Sequence, residues 1–276
     1  MMLSVVIITF NEEANIGRTL ASVQPLVADG KGEIIVVDSG STDRTVEIAK
    51  SFGANIFIEE WKGYAAQKNS AIDKAQGNWI LSLDADEEID ADLANEFSGQ
   101  RDGDESTPYE WCLIMGRGSS ASSKADHAGF RIRRKNHFLG RWMKRGGFWP
   151  DPKLRLFRRG RGRFEDRAVH EDIRVDGATK IIPRGALIHH SYPTLSDYIN
   201  HMNRYSSLGA AMVAANGKVR FTFMNIVLRP LFTFLYNYFF RLGFLDGREG
   251  LLLHLYHAVY VSWKYSKAWE LSRPQQ

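Results

Sequence analysis

Short apolar runs alternate with amphipathic stretches through the first third of the chain. Four apolar, β-branched runs predict strands, and the segments between them show helical spacing. The predicted strands are Leu3–Phe10, Glu33–Val37, Asn55–Ile58 and Trp79–Leu83. The predicted helices are a segment with Ile16, Leu20 and Val23 on one face, then Thr45–Phe52, Gly63–Gly77 and Ile89–Phe97. This alternation is typical of an α/β fold with a mostly parallel sheet flanked by helices.

Three of the predicted strands end in polar or acidic residues. Thr9 lies at the end of the first strand, which is followed by Asn11 and Glu12. The second strand is followed by Asp38, and the fourth by Asp84-Ala85-Asp86-Glu87-Glu88. In open α/β sheets, ligands bind in the crevice outside the carboxyl ends of the strands. We therefore expect these residues to converge on one crevice.

The acidic stretch Asp84–Glu88 directly follows an apolar strand. Four carboxylates at that place require a cation, which is either a divalent metal or the following helix and basic residues. The spacing of Asp84 and Asp86 favours a metal, because alternate residues of a strand end point the same way. We expect Glu87 and Glu88 to be first-turn acids of the next helix, with Glu88 a weaker candidate for a second metal ligand.

The composition is that of an ordinary globular protein. Of 276 residues, 44% are hydrophobic and 25% are charged, which suits one catalytic domain with a C-terminal appendage. Cys112 is the single cysteine, so an intrachain disulfide and a cysteine-based zinc site are excluded, and a reducing compartment is expected. We interpret the N-terminal MMLSVVIITF as a first strand rather than a signal peptide, because it has no basic segment and no small-residue cleavage site.

Charge is distributed unevenly along the chain. Residues 1–98 carry 7 Lys and Arg against 17 Asp and Glu, whereas the remaining residues carry 29 against 15. An acidic half that suits a cation thus precedes a basic half that suits anions. Those anions are substrate phosphates, a lipid surface or nucleic acid.

Four motifs, in this order and spacing, resemble glycosyltransferase family 2, which has the GT-A fold. They are SVVIITFNEE, IIVVDSGSTDRT, KNSA and LSLDADEE, which begin at Ser4, Ile34, Lys68 and Leu81. The resemblance implies a nucleotide-sugar donor, usually a UDP-sugar, bound in the crevice together with Mg²⁺ or Mn²⁺.

The resemblance also implies that seven residues bind the donor and that Asp86 binds the metal. The donor residues are Thr9, Asn11 and Glu12 in the nucleoside pocket, Asp38 at the base, Lys68 near the base or diphosphate, and Asp84 at the ribose with Ala85 beside it. Three of them have simpler alternatives. Asp38 can cap the turn before Thr45, Lys68 can be a solvated helix residue, and Glu12 can be a first-turn acid that complements a helix dipole.

The chemistry of such a donor agrees with a metal in this crevice. The nucleoside diphosphate leaves with growing negative charge as the glycosidic bond breaks, and a metal bridging two phosphate oxygens stabilises that charge. Carboxylates alone would repel the diphosphate, so a cation is needed between them.

Residues 99–129 show little periodicity. We interpret them as a long loop or family-specific insertion over the active-site side, in which Trp111–Met115 is a possible strand and the alternative is a lid.

Residues 131–167 are strongly basic, with 14 Lys and Arg against 3 Asp and Glu, and aromatic residues interleave with the charges. Nucleic-acid binding uses these ingredients. A sugar-phosphate acceptor uses them too, because aromatic rings stack on sugars and Arg pairs with phosphate. The α/β plan upstream favours the acceptor. Two strands are predicted here, Phe130–Arg134 and Lys153–Phe157.

The same region resembles one branch of family 2, the bacterial lipopolysaccharide-core β-glucosyltransferase-like proteins. The matching blocks are Arg134–Trp142, Trp149–Phe157 and Val169–Glu171. This resemblance implies that five residues face the donor phosphates and the acceptor. They are Arg134, Asn136, Trp142, Trp149 and Arg155.

The stretch Val169-His170-Glu171-Asp172 holds the best candidate for a catalytic base. An inverting transferase needs one carboxylate to take the proton of the acceptor hydroxyl. The wider family uses a Glu-Asp pair, and the His-Glu-Asp order here is a departure, so Glu171 is favoured and Asp172 is the alternative. The acids can instead pair with Arg167 or Arg174.

His189 and His190 follow the apolar run Ala186–Ile188. One of them, with His189 as our choice, is a candidate third metal ligand, since related sites often take a histidine from a late strand. The alternative is a core and surface pair at a strand end, because adjacent strand residues point oppositely.

The last 80 residues predict helices with aromatic and basic faces. Ser196–Ala215 has helical spacing, and the segments 221–243 and 250–269 are rich in Phe, Tyr and Trp, while residues 200–276 carry 9 Lys and Arg against 3 Asp and Glu. This pattern suits peripheral contact with the cytoplasmic membrane interface through residues 221–269. The alternative is a helical hairpin packed on the catalytic domain or on a second subunit.

The sequence therefore predicts a catalytic domain at residues 1–195 and a helical appendage at 196–276. The domain comprises a nucleotide-sugar half (1–98), the insertion (99–129) and an acceptor and catalytic-base half (130–195). The predicted function is metal-dependent, inverting transfer of a hexose, with glucose from UDP-glucose as first choice, to a lipopolysaccharide-core or other lipid-linked acceptor at the inner face of the bacterial inner membrane. The alternatives are a non-catalytic sugar-phosphate-binding module and, less favoured, a nucleic-acid-binding protein, and no nucleic-acid partner is expected.

Overall fold

The structure, a computed structural model, describes residues 2–98, 127–165, 172–215, 217 and 221–273. The possible strand Trp111–Met115 lies outside the described residues. Two compact units interleave along the chain. The first unit comprises Met1–Arg134 and Pro152–His189, and the second comprises Lys135–Asp151 and His190–Gln276.

The first unit begins with alternating strands and helices, as the apolar pattern predicts. The strands are β1 (Leu3–Thr9), β2 (Gly32–Asp38), β3 (Asn55–Ile58), β4 (Trp79–Asp84) and β5 (Glu87–Ile89). The helices are α1 (Ile16–Val27), α2 (Thr45–Ser51), α3 (Tyr64–Lys74) and α4 (Ala91–Ser98). Further strands are β6 (His127–Phe138), β8 (Lys153–Arg158), β9 (Gly162–Glu165), β10 (Asp172–Val175) and β11 (Ala178–Tyr192), and β7 (Arg141–Trp142) lies in the second unit.

A mixed sheet forms the centre of the first unit, with the strand order β3-β2-β1-β4-β8-β6-β11-β5 among the described residues. β1 pairs parallel with β2 and β4, and β2 pairs parallel with β3, which confirms the predicted parallel half. β4–β8, β6–β8, β6–β7 and β11–β5 pair antiparallel. β9 and β10 form a separate antiparallel pair.

The central strands are buried on both faces because alternate side chains enter two apolar layers. Val5 and Ile7 of β1 lie in the layer that α1 covers, whereas Val6 lies in the layer that α3 covers. The α1 layer includes Ile16, Leu20, Val23, Ile34 and Val36, and the α3 layer includes Ile35, Val37, Ala71 and Ile72. The two helices thus pack on opposite faces of the sheet and fix the strand ends where the polar residues lie.

The second unit is mostly helical. It contains α5 (Leu195–Ala215), π-helical turns at Met224–Leu228 and Tyr236–Phe240, α6 (Arg229–Leu235), a 3₁₀ turn (Gly243–Asp246) and α7 (Gly247–Leu271). Its core contains Phe138, Met143, Tyr198 and Leu253. Among the described residues, no helix combines the length and the apolar character needed to cross a bilayer.

Candidate active site

Asp84 ends β4 and is neutralised by two cations from other elements. The Nζ of Lys68 on α3 lies 2.7 Å from Oδ1 of Asp84, and Nη2 of Arg155 on β8 lies 2.5 Å from Oδ2. Both cationic side chains are buried, since Lys68 is 4% exposed and Arg155 is 6% exposed. Burial alone would raise the pKa of Asp84, but the charges of Arg155 and Lys68 outweigh it and hold that pKa well below its usual range.

Glu87 is a second, fully buried carboxylate that binds the same arginine. Its Oε1 accepts hydrogen bonds from Nη2 of Arg155 at 2.6 Å and from Nη1 of Arg134 at 3.3 Å, and its Oε2 accepts the backbone N–H of Asp84 at 3.1 Å. Burial lowers the pKa of Arg155, and the charges of Asp84 and Glu87 more than reverse this, so the pKa lies above its ordinary value. Arg155 therefore stays charged between two carboxylates.

The prediction that Glu87 and Glu88 begin a helix was wrong. Both residues belong to β5, which pairs antiparallel with β11, and helix α4 begins only at Ala91. Tertiary pairing overrides the helix-start pattern here, because the partner strand lies about a hundred residues later in the chain and leaves no local signal.

Asp86 lies opposite a histidine. Nε2 of His189 is 3.2 Å from Oδ2 of Asp86, and in the β11–β5 register His189 pairs with Glu87. Burial would raise the pKa of Asp86, but the His189 charge and hydrogen bond lower it below its ordinary value, so the carboxylate is ionised at neutral pH. His190 belongs to the second unit, where its ring stacks on that of His137 with the centroids 5.5 Å apart.

Glu12 is a fourth carboxylate in this region, and its pKa responds to the charges of the two aspartates. Burial raises the pKa of Glu12, a hydrogen bond from Asn15 opposes this, and the charges of Asp86, Asp43 and Asp84 raise it further. Glu12 also accepts a hydrogen bond from Asn15 at 2.8 Å, and its backbone N–H donates to the Thr45 hydroxyl at 2.7 Å. The strand ends therefore concentrate negative charge that a cation would relieve.

Asp38 organises the loop after β2. Its Oδ2 accepts the hydroxyls of Thr9 at 2.7 Å and Ser41 at 2.5 Å, and its Oδ1 accepts the backbone N–H groups of Gly40 at 2.9 Å and Ser41 at 2.7 Å. Thr9 and Asp38 are directly opposite in the parallel β1–β2 register. The Asp38 carboxylate thus fixes the shape of this loop from within the protein.

Asn11 and Ala85 link the strand ends to the surrounding loops and helices. Asn11 has a left-handed backbone (φ 55°), and its Oδ1 accepts the backbone N–H of Thr42 at 2.9 Å. The buried Ala85 offers its carbonyl to the Thr19 hydroxyl of α1 at 2.6 Å. These two contacts hold the backbone on either side of the carboxylates.

Of the two candidate bases, Glu171 lies outside the described residues. Asp172 begins β10 with an exposed side chain, and its Oδ1 accepts the backbone N–H of Ile173 at 2.9 Å.

Three predicted acceptor residues lie in the second unit and form an aromatic and cationic cluster there. The rings of Trp142 and Trp149 meet edge to face, with centroids 5.2 Å apart, and the ammonium groups of Lys144 and Lys135 lie 4.5 and 5.2 Å from the Trp142 ring centroid. Asn136 donates to Oδ2 of Asp151 at 3.0 Å and to the Phe148 carbonyl at 3.3 Å. The other two acceptor candidates, Arg134 and Arg155, belong to the first unit.

Comparisons with known proteins agree on one family. The sequence profile described as Glycosyl transferase family 2 matches residues 4–97. An uncharacterized glycosyltransferase of Rickettsia typhi, RT0209, is 30% identical over 283 residues, which covers 98% of this chain and 87% of that protein. The chain belongs to glycosyltransferase family 2.

Other relatives of this family 2 glycosyltransferase are similar over most of its length. The lipopolysaccharide core biosynthesis glycosyltransferase LpsC of Rhizobium meliloti is 29% identical over 265 residues, covering 94% of this chain and 88% of that protein. Among solved structures, the mannosyltransferase PcManGT of Pyrobaculum calidifontis is 17% identical over 98% of this chain and 85% of its own, with a TM-score of 0.48. The predicted fold class, an α/β GT-A sheet with a C-terminal helical appendage, is confirmed.

The donor set of this glycosyltransferase fits a divalent cation that the substrate helps to hold. Asp86 supplies an ionised carboxylate, which is an ordinary ligand of Mg²⁺ and Mn²⁺, and His189 supplies an imidazole, which is more usual at transition metals than at Mg²⁺. Among the described residues, no group of three or more His, Cys, Asp or Glu side chains is arranged to hold a metal. Phosphate oxygens of a donor, together with water, would complete the coordination.

Glu87 is the site residue that the sequence analysis missed. Its role depends on Arg155 and Arg134, which lie 68 and 47 residues away. The sequence did contain one signal, the number of carboxylates between Asp84 and Glu88. A metal takes one or two of these four acids as ligands, so the others need basic side chains as partners.

Proposed function

We propose that this glycosyltransferase is metal-dependent and inverting, and that it moves a hexose from a nucleotide sugar to a lipopolysaccharide-core or other lipid-linked saccharide acceptor. Glucose from UDP-glucose is the first donor to test. One observation carries the proposal. Asp84 is neutralised by ion pairs with Lys68 and Arg155, whereas among the described residues the ion-pair partner of the Asp86 carboxylate within 4 Å is the imidazole of His189 alone.

This difference supports separate roles for the two aspartates. Asp86, with His189, would hold Mg²⁺ or Mn²⁺, and the metal would neutralise the diphosphate as it leaves. Asp84 is fixed by its two cations and would offer its remaining lone pairs to the ribose. The positive charges of Lys68 and Arg155 would offset part of the negative charge of the carboxylates and so reduce their repulsion of the donor phosphates. Thr9, Asn11, Glu12, Asp38 and Ala85 would shape the nucleoside pocket.

The acceptor is proposed to meet the aromatic and cationic cluster of Trp142, Trp149 and the two lysines. Indole faces stack on sugar rings, and lysines bind phosphates as point charges. The name of the Rhizobium meliloti relative, lipopolysaccharide core biosynthesis glycosyltransferase, supports an acceptor of that class. The exposed aromatic residues between 221 and 269 support peripheral contact with the inner face of the bacterial inner membrane, where such acceptors are held.

A donor screen tests the proposal. The purified chain is offered UDP-glucose, other UDP-sugars and GDP-mannose with Mn²⁺, and hydrolysis or transfer is measured with and without excess EDTA. We expect turnover of a UDP-sugar that EDTA abolishes and that Asp86→Ala reduces at least 100-fold, because the charge-stabilising ion is lost. Asp92→Ala, an exposed acid of α4, is the matched control and keeps its activity. Full activity of Asp86→Ala, or full activity in EDTA, contradicts the metal role.

A further inference from the structure

An apolar groove of about 780 Å³ lies within the second unit, between the Met224–Leu228 turn, α6 and α7. Its apolar lining includes Leu228, Leu231, Leu235 and Val261. A hydrogen bond from the Ser262 hydroxyl to the carbonyl of Ile226, 3.0 Å long, ties α7 to the Met224–Leu228 turn. The volume lies within the range of small-molecule and lipid-sized pockets, about 300–1,000 Å³.

Two cations stand at this groove and share one aromatic ring. Nη1 of Arg229 donates to the Tyr265 hydroxyl at 2.7 Å, its guanidinium lies 5.1 Å from the Tyr265 ring centroid, and Nζ of Lys264 lies 5.1 Å from the same centroid. In the part of the chain that the structure describes, neither cation has a carboxylate within ion-pair distance. Two like charges at one aromatic ring without a counter-charge favour the binding of an anionic ligand near them.

Large apolar side chains around the groove are exposed to water, which is energetically unfavourable. Phe232, which lines the groove, has 68% of its surface exposed, and Leu231 has 48%. Aromatic and aliphatic side chains beside lysine and arginine are typical of helices that lie in the interface of a bilayer. An amphiphile would match this groove, because its acyl chain would contact the apolar lining and its anionic head group would contact Arg229 and Lys264.

The charge balance favours an anionic lipid over a second copy of this chain. Residues 221–273 carry six Lys and Arg and three Asp and Glu. Two of the three acids already have partners within the second unit, because Asp246 accepts the backbone N–H of Arg145 at 2.8 Å and Glu249 pairs with Arg141 at 3.4 Å. A second copy that docked through this same region would therefore bring further cations to the groove and few free carboxylates.

We propose that this groove binds one anionic phospholipid of the membrane, with the phosphate between Arg229 and Lys264 and an acyl chain along Leu231 and Phe232. This inference rests on the peripheral membrane contact in the proposed function, and it names the site and the lipid class that make the contact. Each cation near an anionic surface contributes about 1 kcal/mol, so the pair contributes a factor of roughly 30 in affinity.

Vesicle flotation of the full chain tests the proposal. The protein is mixed with vesicles of phosphatidylcholine alone or of phosphatidylcholine with phosphatidylglycerol, and the floated fraction is measured. We expect flotation with the anionic vesicles, little with the neutral ones, and a loss at high salt because the charges are screened. Arg229→Gln with Lys264→Gln is expected to lower the vesicle affinity about 10- to 30-fold.

Matched control variants distinguish binding at the groove from the effects of net charge and of exposed apolar surface elsewhere on the chain. Lys50→Gln with Arg248→Gln removes the same two charges at exposed positions outside the groove and is expected to float like the unmodified chain. Phe232→Ser is expected to weaken flotation several-fold, whereas Ile58→Ser, which has the same 68% exposure on β3, is not. Equal loss in the groove and control variants, or equal flotation on neutral vesicles, overturns the proposal.

Two further readouts complete the test. If light scattering shows a dimer that Phe232→Ser dissociates, a second copy covers the groove and the lipid proposal is overturned. Hydrolysis of the nucleotide sugar without vesicles is measured in parallel and is expected to be unchanged in the groove variants. Flotation without hydrolysis in the unmodified chain would contradict the proposed transferase activity and leave the lipid groove standing, and hydrolysis without flotation would do the reverse.

Discussion

Glu87 is the carboxylate on which Arg134 and Arg155 converge in the candidate active site. It is fully buried, and its two oxygens serve three donors. A buried carboxylate so engaged fixes the side chains that it binds, and Arg155 in turn holds Asp84. Glu87 thus positions the residues that we propose to meet the donor.

Substituting Glu87 by Gln is expected to destabilise the fold by about 3–5 kcal/mol, since it leaves two buried arginine contacts with less counter-charge. The matched control is Glu47→Gln on α2. The Arg44–Glu47 pair is 69% exposed on both sides, so this substitution is expected to leave the stability nearly unchanged. Urea unfolding of both variants measures the difference. Equal, small effects would show that Glu87 is not required for the network.

The catalytic base is a separate question at the residue scale. Glu171→Gln is expected to keep nucleotide-sugar binding, since none of the proposed donor residues is changed. It is expected to lower transfer to the acceptor 100-fold or more, because proton removal is lost. Binding is measured by calorimetry with UDP and Mn²⁺, and transfer by product formation. If Asp172→Asn shows this split and Glu171→Gln does not, the base is Asp172.

The sequence predicts this site in part. The residues at the ends of β1, β2 and β4 are identified because apolar runs locate the strands and the parallel plan brings their ends together. The partners of those residues are not identified. Lys68 reaches Asp84 from a helix and Arg155 from an antiparallel strand, and no local pattern specifies which cation meets which acid.

At the scale of elements, the start of α7 depends on a close approach between two glycines and a histidine. Gly146 and Gly243 both face the buried ring of His254, and a Cβ atom on either would overlap that ring. The backbone N–H of Gly146 donates to the Arg241 carbonyl at 3.0 Å, which holds the loop against the helical region. A larger residue at either position would push the loop and the helix apart.

Gly146→Ala is therefore expected to cost about 2–4 kcal/mol, from a left-handed backbone (φ 65°) together with overlap with His254. Gly140→Ala is the control, because Gly140 has a similar φ of 78° in the same unit and open space around it, so it carries only the backbone cost of about 1 kcal/mol. Thermal unfolding compares the two. Equal costs would show that the approach to His254 is relaxed in solution.

His254 also makes the stability of this element depend on pH. Burial lowers the pKa of His254 to about 4, with help from the charge of His257, against an ordinary value of 6.5. The unfolded chain takes up a proton below pH 6.5 and the folded chain does not. The stabilising contribution is therefore complete above pH 6.5 and is lost as the pH falls towards 4.

Between pH 7 and pH 4.5 we expect a loss of roughly 2 kcal/mol in unfolding free energy that is due to His254. His254→Leu is expected to remove most of this slope, because leucine fills a similar volume and does not titrate. Some slope remains from His257, whose pKa is also lowered by burial and by Lys264. Denaturant titrations at several pH values measure it, and an unchanged slope in the variant would assign the effect to another group.

The aromatic segment from 221 to 243 shows what helical spacing does and does not specify. Its apolar pattern predicts a helix, and the segment is helical, but π-helical turns flank α6 on both sides. A π turn shifts the face of a helix by inserting one residue. Periodicity averaged over many residues does not locate such a shift, so the groove lining could not be predicted.

At the scale of the whole molecule, substrate and metal are expected to bind as a pair. Within the described chain, Asp86 and His189 provide too few ligands to hold a divalent ion firmly, and the diphosphate is repelled by the acids in the ion's absence. UDP with Mn²⁺ is therefore expected to raise the Tm by roughly 5–10 °C at a hundredfold excess over Kd, and each alone by much less. Asp86→Ala is expected to lose the joint effect. Simply additive shifts in differential scanning fluorimetry would contradict the pairing.

The chain divides into two compact units, and the amino-acid composition does not predict where the boundaries between them lie. The sequence predicts one boundary between residues 195 and 196, whereas contacts divide the chain at 134/135, 151/152 and 189/190. Two of these points lie inside β6 and β11. A strand that continues from one unit into the next has no change of residue type at the boundary, so only the contacts reveal it.

Interleaving has a consequence for how the protein emerges from the ribosome. The first unit is complete only after His189 is synthesised, because β5 at residues 87–89 pairs with β11 at residues 187–189. At a synthesis rate of about 5–20 residues per second, the strand that pairs with Glu87 is made roughly 5–20 s after Glu87 itself. Arg134 and Arg155 are synthesised during this interval. The nascent chain therefore carries an uncompensated acidic segment for seconds, and its charge helps to keep the half-made sheet in solution until its partners arrive.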